Sequence, residues 1–523
     1  MERSLSFLHK GDYLLGSFYQ ETGDGFVVDV DPSTGVTLDR VPFRESAVDE
    51  AVLAGRAAMQ RWSHATVDER ASFLMRVRTM LESKRELLAH MAARELGKPV
   101  WESMLECAAA ERSVDLLIEQ GREMLGSTPH PTSMGSIERS PLGLAAVITP
   151  SPYPVYGAIQ LILPCLLGGN AVVWKPSSLV PLTSQLVTMC MDSARIPQGV
   201  LSVVQGPRDP IGHRLIRHPG VDLVVGAGSP RMGRKLRAEL SDSKPVALQC
   251  GGKGWAIVCA DADLDRAAYE VVSGAFLTAG QRCNATARVL VERSVARDLL
   301  TRVVALMRGL HIGNPQSREV FCGPLASEVL KQRFALHLRD WARAGVEFAV
   351  EGGAAHLPPG LQRDGQCYVA PALTVLESGE LPGGLIAPEE IEGPLLVAHV
   401  IDSAEEAVER YNAHPFGLSA AVFTEDQRRF EALASRLRAG SVNWNRGTIV
   451  ASARFPNAAL SRSGFGTLSN AALLRSCTFP QSRLGTGGRF DPSHRVPGMS
   501  WPPEMGVIDP TAASTPPYLP GTP

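Results

Sequence analysis

The chain has 523 residues and a mass of 56.1 kDa. At roughly 150 residues per domain that is room for about three domains or one large two-domain enzyme. Apolar residues make up 44% and charged residues 20%, which excludes disorder over most of the length. Lys plus Arg is 52 and Asp plus Glu 54, for a net charge of −2. With no basic footprint, neither nucleic acid nor an anionic membrane is expected as a partner.

Met1 to Gly16 contains no long apolar run, so no secretory signal is expected. Residues 1–45 read as short strands and turns. Ser46 with Asp49 has capping-box spacing, and Val48, Val52 and Met59 follow at helical intervals. Thr66 with Glu69 repeats the signal ahead of Phe73, Leu74, Val77 and Leu81. The helical pattern stops at Gly97-Lys98-Pro99. From residue 143 apolar runs recur: Gly143–Thr149, Ala171–Lys175, Val200–Val204 and Asp222–Val225. The first three start roughly 28 residues apart with helical stretches between them, the signature of βαβ units and a parallel sheet. The most apolar stretch, Val155 to Trp174, is broken by Gln160, Pro164 and Asn170, too short and interrupted for a bilayer. A second alternation starts with Trp255–Cys259 and Arg288–Val291 and runs to about residue 440, predicting a second α/β domain. Eight prolines in the last 27 residues predict an extended tail. Nine cysteines without CxxC pairs or histidines at zinc spacing predict reduced thiols in the cytoplasm and no metal.

Three places invite chemistry. Gly226-Ala-Gly228-Ser-Pro-Arg-Met-Gly233 follows a predicted strand, and such glycines let backbone approach a phosphate at a helix N-terminus. The segment is not GxGxxG, and a plain strand-to-helix turn fits it as well. Lys175 ends a predicted strand in Trp174-Lys-Pro-Ser-Ser178, which in an open sheet points toward the ligand crevice. Taken alone it reads more readily as a solvated surface lysine. Cys283, in Thr278-Ala-Gly-Gln-Arg-Cys-Asn284, is polar-flanked and follows a glycine turn, whereas Cys165 sits in an apolar core context. A nucleophilic thiolate needs access and a depressed pKa; a structural thiol is the competing reading.

Taken together these pieces resemble the aldehyde dehydrogenase superfamily over about residues 10–490, and within it the branch acting on N-succinylglutamate 5-semialdehyde in arginine catabolism. The resemblance rests on Val147-Ile-Thr-Pro150, Gly168-Gly-Asn-Ala-Val-Val-Trp-Lys-Pro-Ser177, Gly228-Ser-Pro-Arg-Met-Gly233, Gly251-Gly-Lys253, Ala279-Gly-Gln-Arg-Cys283, Pro388-Glu-Glu-Ile391 with Gly393-Pro394, and Asn443-Trp-Asn445, in that order. It implies an α/β fold: a Rossmann-like cofactor domain (1–250, with part of an oligomerisation β-element near 127–141), a catalytic domain (251–445), a return and oligomerisation segment (446–490) and the Pro-rich tail (491–523). It also implies a homo-oligomer acting on a small aldehyde with NAD, or NADP. By motif position the nucleophile is Cys283, and Gln249 occupies the place of the general base. The phosphate turn is Gly228, Ser229, Pro230, Arg231, Met232 and Gly233. Lys175 would hold the adenosine ribose and Glu390 the nicotinamide ribose.

In the family's chemistry the thiolate attacks the aldehyde, an asparagine side chain and the cysteine N–H hold the oxyanion, and hydride leaves. A glutamate then activates water against the thioester. This chain departs from that pattern at both polar helpers. The asparagine falls on Pro152 and the glutamate on Gln249. Glu392 replaces a phenylalanine beside the nicotinamide, and Ser178 replaces a glutamate. Loss of an oxyanion donor costs about 10²- to 10³-fold, and loss of a general base about 10²- to 10⁴-fold. If independent, the two cost on the order of 5–10 kcal/mol of barrier. The resemblance therefore implies semialdehyde oxidation with weakened or altered chemistry. Two alternatives stand beside it: an impaired relative or scaffold that keeps nucleotide binding, and acyl transfer from the Cys283 thioester to a thiol.

Overall fold

The computed structural model describes residues 9–21, 23–126, 128–129, 135–240, 244–377, 391–456, 458–468, 470–485 and 497–499. Almost all of the Pro-rich tail, and Glu390, lie outside these. The chain divides into two compact units, residues 1–126 with 139–479, and residues 127–138 with 480–523. In the described part of the second unit Thr128 and Pro129 pair antiparallel with Ile137 and Ser136, and Arg483 meets Glu138 at 2.6 Å.

The first unit is built on two parallel α/β sheets. Ahead of them come the helices Ser46–Trp62, Val67–Ser83, Arg85–Leu96 and Val100–Leu125. Thr66 and Glu69 close a complete capping box on the second, and Gly97, left-handed at φ 70°, ends the third. Ser46 does not cap. The first helix starts at Ser46 itself, behind an already helical Glu45, with no side-chain cap bond. Burial of Ala47, Val48, Ala51 and Val52 positions that end instead, as tertiary packing often does.

In the first sheet five parallel strands run in the spatial order Leu201–Val203, Ala171–Lys175, Leu144–Ile148, Leu223–Ala227, Val246–Gln249. The short antiparallel strands Asp12–Leu14, Ser17–Tyr19 and Gly464–Phe465 complete its edges. Helices cover both faces, so Leu144–Ile148 and Ala171–Lys175 are buried at every residue, as the apolar runs 144–148 and 171–174 require; Lys175 is the one charged residue among them. Ala145, Val147, Val172 and Trp174 enter one core, Leu144, Ala146, Ala171 and Val173 the other. The Val155–Trp174 stretch is the buried helix Tyr156–Leu167 followed by one of these strands. Among the described residues no helix is long and apolar enough to cross a membrane.

The second sheet has the order Phe348–Val350, Ala372–Leu376, Leu395–Ile401, Thr286–Glu292, Gly254–Val258, Ser419–Phe423, Ser441–Trp444, parallel except at its first edge. The chain passes from one sheet to the other through Cys250-Gly-Gly-Lys253. That passage is tied down: the Lys253 N–H donates to the Cys283 carbonyl at 2.8 Å, and the Gly254 N–H to the Ala285 carbonyl at 2.7 Å. The last residue of one sheet's final parallel strand, Gln249, is thus brought next to the loop that precedes a central strand of the other.

Candidate active site

In the first sheet the strand order reverses between Leu144–Ile148 and Leu223–Ala227. A crevice opens at the carboxyl ends of such strands. Lys175 ends its strand there. It is not a solvated surface residue, as its isolated sequence reading had it, because it is only 4% exposed. Burial first, and then the charge of Arg208, pushes its pKa down to about 8. No carboxylate pairs with it among the described residues. The helix Pro230–Glu239 begins at the same end, capped by the Ser229 hydroxyl accepting from the Met232 N–H at 3.2 Å. Gly233 lets this helix lie against the strand end, since a Cβ there would sit 2.3 Å from the Cys250 sulfur. A buried ammonium, Arg208, and the positive end of a capped helix suit an electron-rich ligand such as the ribose and phosphates of a dinucleotide. The described residues therefore fit the cofactor.

Cys283 is half-buried, whereas the other eight cysteines are buried. Its loop begins with three successive left-handed residues, Thr278 (φ 54°), Ala279 (φ 50°) and Gly280 (φ 68°). For a β-branched residue and an alanine this costs on the order of 1–3 kcal/mol each. Glu102 holds the conformation, accepting from both the Thr278 N–H (3.1 Å) and its hydroxyl. The Lys253 ammonium donates to the carbonyls of Gly280 and, at 3.4 Å, Arg282. Gly280 is indispensable, because a Cβ would come 2.4 Å from the Gly393 carbonyl oxygen. Gln249 donates from Nε2 to the Cys283 sulfur at 3.5 Å.

Beneath these residues lies a buried charge layer. Lys98, with no exposed side-chain surface, is paired with Glu106. Arg282 meets Glu102 at 2.5 Å. Burial opposes ionisation of Glu102, but Arg282 and then Lys98 outweigh it and hold its carboxyl below the ordinary range. Glu106 also accepts from the Val155 and Tyr156 N–H groups at 2.8 and 2.9 Å, which anchors the start of the helix Tyr156–Leu167. Breaking one such buried pair costs about 3–5 kcal/mol. Pro152, at the position of the family's asparagine, has no N–H to give; its carbonyl accepts from Lys98 at 3.3 Å.

One cavity of about 650 Å³ joins all of this. Lys175, Ser177, Ser178, Arg208, Gly228, Ser229 and Met232 line it, with Pro152, Tyr153, Gln249, Arg282, Cys283 and Asn284, and with the apolar side chains of Trp101, Leu105, Ile449 and Ala453. Glu392 lines it too; Glu390 lies outside the described residues. Pro230, Arg231 and Gly233 build the helix start without lining the cavity. Sequence reasoning missed Lys98, Glu102, Glu106, Tyr153, Arg282 and Arg208 as site residues. In the sequence Lys98 reads only as part of a helix stop, and Arg282 only as a neighbour of Cys283. Arg208 carries no local signal.

Comparisons with known proteins show the family. The model of the aldehyde dehydrogenase family matches residues 19–482. The chain is 32% identical to N-succinylglutamate 5-semialdehyde dehydrogenase of Ectopseudomonas mendocina (strain ymp) over 459 residues, 87% of this chain and 92% of that one. Its fold is similar to NAD-dependent aldehyde dehydrogenase from Sinorhizobium meliloti (TM-score 0.86, 28% identity, 94% of this chain and 98% of that). It is also similar to NADP-dependent glyceraldehyde-3-phosphate dehydrogenase from Bacillus halodurans C-125 complexed with NADP (TM-score 0.82, 26% identity, 91% and 99%). With a reversed-order parallel sheet, a strained cysteine loop and a family match across nearly the whole chain, this protein belongs to the aldehyde dehydrogenase family, as an NAD(P)-dependent enzyme that oxidises aldehydes.

Proposed function

We propose that the chain oxidises a small semialdehyde, of the N-succinylglutamate 5-semialdehyde type, to its carboxylate through a thioester on Cys283, with slowed release of the acyl group. The observation that carries this reading is the Gln249–Cys283 contact in a cavity shared with Lys175 and Ser229.

Lys175, Arg208 and the Gly228–Met232 turn would hold the dinucleotide, and Glu390 its nicotinamide ribose. Bound NAD(P)+ supplies the hydride acceptor. Cys283 attacks the carbonyl carbon, and the strain stored in Thr278–Gly280 keeps its sulfur presented to the cavity rather than packed away. Gln249 steadies the thiolate by donating an N–H to it. After oxidation the same amide can orient a water but cannot take its proton, so hydrolysis of the thioester is the slow step. Ser178 leaves no carboxylate to repel a 2′-phosphate, which supports use of NADP+ beside NAD+.

A second reading shares the first half of this chemistry. A thiol acceptor needs no strong base to attack a thioester, and an amide at position 249 favours such acyl transfer over hydrolysis. A cytoplasmic homo-oligomer belongs to either reading. The test is NAD(P)H formation with succinylglutamate semialdehyde and a panel of aldehydes, with and without an added thiol, and Cys283→Ala as control. No NAD(P)H from any aldehyde, with nucleotide still bound, would leave the protein as a nucleotide-binding scaffold.

A further inference from the structure

Pro152 removes the side-chain donor that should face the substrate oxygen, yet the next residue brings a hydroxyl to the same cavity. Tyr153 lines it together with Cys283 and Gln249. Two cations fix its ring: the Arg282 guanidinium lies 5.4 Å and the Lys98 ammonium 5.5 Å from the ring centre. Tyr156 packs edge-on at 6.3 Å. Both cations are themselves locked by buried carboxylates, so the ring is preorganised by a network that also holds the cysteine loop. The Tyr153 hydroxyl makes no hydrogen bond among the described residues. A phenol that lines a ligand cavity and has no partner of its own is an unused donor there.

We propose that the Tyr153 hydroxyl is the oxyanion donor of this enzyme, replacing the amide that Pro152 cannot supply. The proposal rests on Cys283 being the nucleophile. As the sulfur–carbon bond forms, the carbonyl π pair moves onto oxygen, and the phenol donates a hydrogen bond to that oxygen without giving up its proton. When the carbonyl re-forms, hydride leaves to the oxidised nicotinamide, or with an ester the alkoxide leaves with its electron pair. The phenol stays protonated throughout. Burial raises its pKa above the usual tyrosine range, with a smaller push from charge on Cys283, while Arg282 opposes.

An ester separates this proposal from the dehydrogenase reading, because acylation by p-nitrophenyl acetate needs an oxyanion donor and no nucleotide. Tyr153→Phe removes one oxygen atom and keeps the ring. It is expected to slow the p-nitrophenolate burst by about 10²- to 10³-fold. Iodoacetamide alkylation of Cys283 should be unchanged, because displacement of iodide develops no oxyanion. An equal burst in the variant overturns the proposal. So does a parallel loss of burst and alkylation, which would make Tyr153 a residue that merely positions the thiol. A wild type with no burst at all overturns it as well. A wild type that acylates with ester but forms no NAD(P)H from any aldehyde overturns the dehydrogenase reading and leaves this one standing.

Discussion

The Gln249 amide nitrogen stands 3.5 Å from the Cys283 sulfur, so the group in the family's base position is a hydrogen-bond donor to the nucleophile. Any aldehyde that reacts should give a burst of about one NAD(P)H per site and then stall, with an acyl adduct on Cys283 visible by mass spectrometry. Gln249→Glu should restore steady turnover, raising the deacylation rate by about 10²- to 10⁴-fold. The same change puts a carboxylate where a donor was, so Cys283 should alkylate only at higher pH than in the wild type. Steady wild-type turnover with no adduct would mean that another residue supplies the base.

Cys283 should be the one thiol that reacts quickly with iodoacetamide in the native protein. The other eight are buried, and burial pushes up the pKa of Cys107, Cys190, Cys259, Cys322 and Cys367. Peptide mapping after limited alkylation reads this directly; uniform labelling counts against it.

Nucleotide affinity should fall as pH rises through about 8. Lys175 has its pKa lowered to about 8 by burial and then by Arg208. Its ammonium is present below that pH and lost above it, so a ligand held by the charge weakens by up to about tenfold per pH unit. Lys175→Met should abolish the dependence. Arg208→Ala should move the midpoint upward, because a repelling cation is gone, and should weaken NADP+ more than NAD+. Calorimetric titration of both nucleotides between pH 7 and pH 9 measures all three.

Asp29 should make the protein less stable as pH rises. It is 1% exposed and faces the buried carboxyl of Glu95, with which it can share a hydrogen bond only while one of the two holds a proton. Burial pushes its pKa up to about 7 from 3.8, outweighing the hydrogen bond with Glu95 that opposes it, with a smaller upward push from Asp39. The folded state therefore binds a proton that the unfolded state has lost, and stability declines between about pH 4 and pH 7. Asp12, also raised to about 7 by burial, adds to the same slope. Asp29→Asn should raise stability at pH 8 by on the order of 1–3 kcal/mol and flatten part of the pH dependence in denaturant unfolding. An unchanged slope would assign it elsewhere.

What the sequence determined by itself was whatever depends on neighbours along the chain. The runs at 144–148 and 171–174 read as strands buried on both faces, because four or five consecutive apolar residues leave no face for water. Thr66 and Glu69 were legible as a cap because both partners lie within one turn. The order of the glycine and cysteine motifs was enough to name the family. Local rules failed where the deciding partner was distant. Ser46 lost its cap to the packing of the helix it begins. Lys175, polar in a polar-looking tetrapeptide, is buried because the backbone at Gly212, distant in sequence, packs against its stem. Glu102 reaches Arg282 across 180 residues of sequence, and Tyr153 is pinned by cations from two different segments. Which charge neutralises which, and which hydroxyl is left unpartnered, are properties of the topology. Only when the two sheets meet at Gly251–Lys253 do Gln249 and Cys283, 34 residues apart, come within reach of one another.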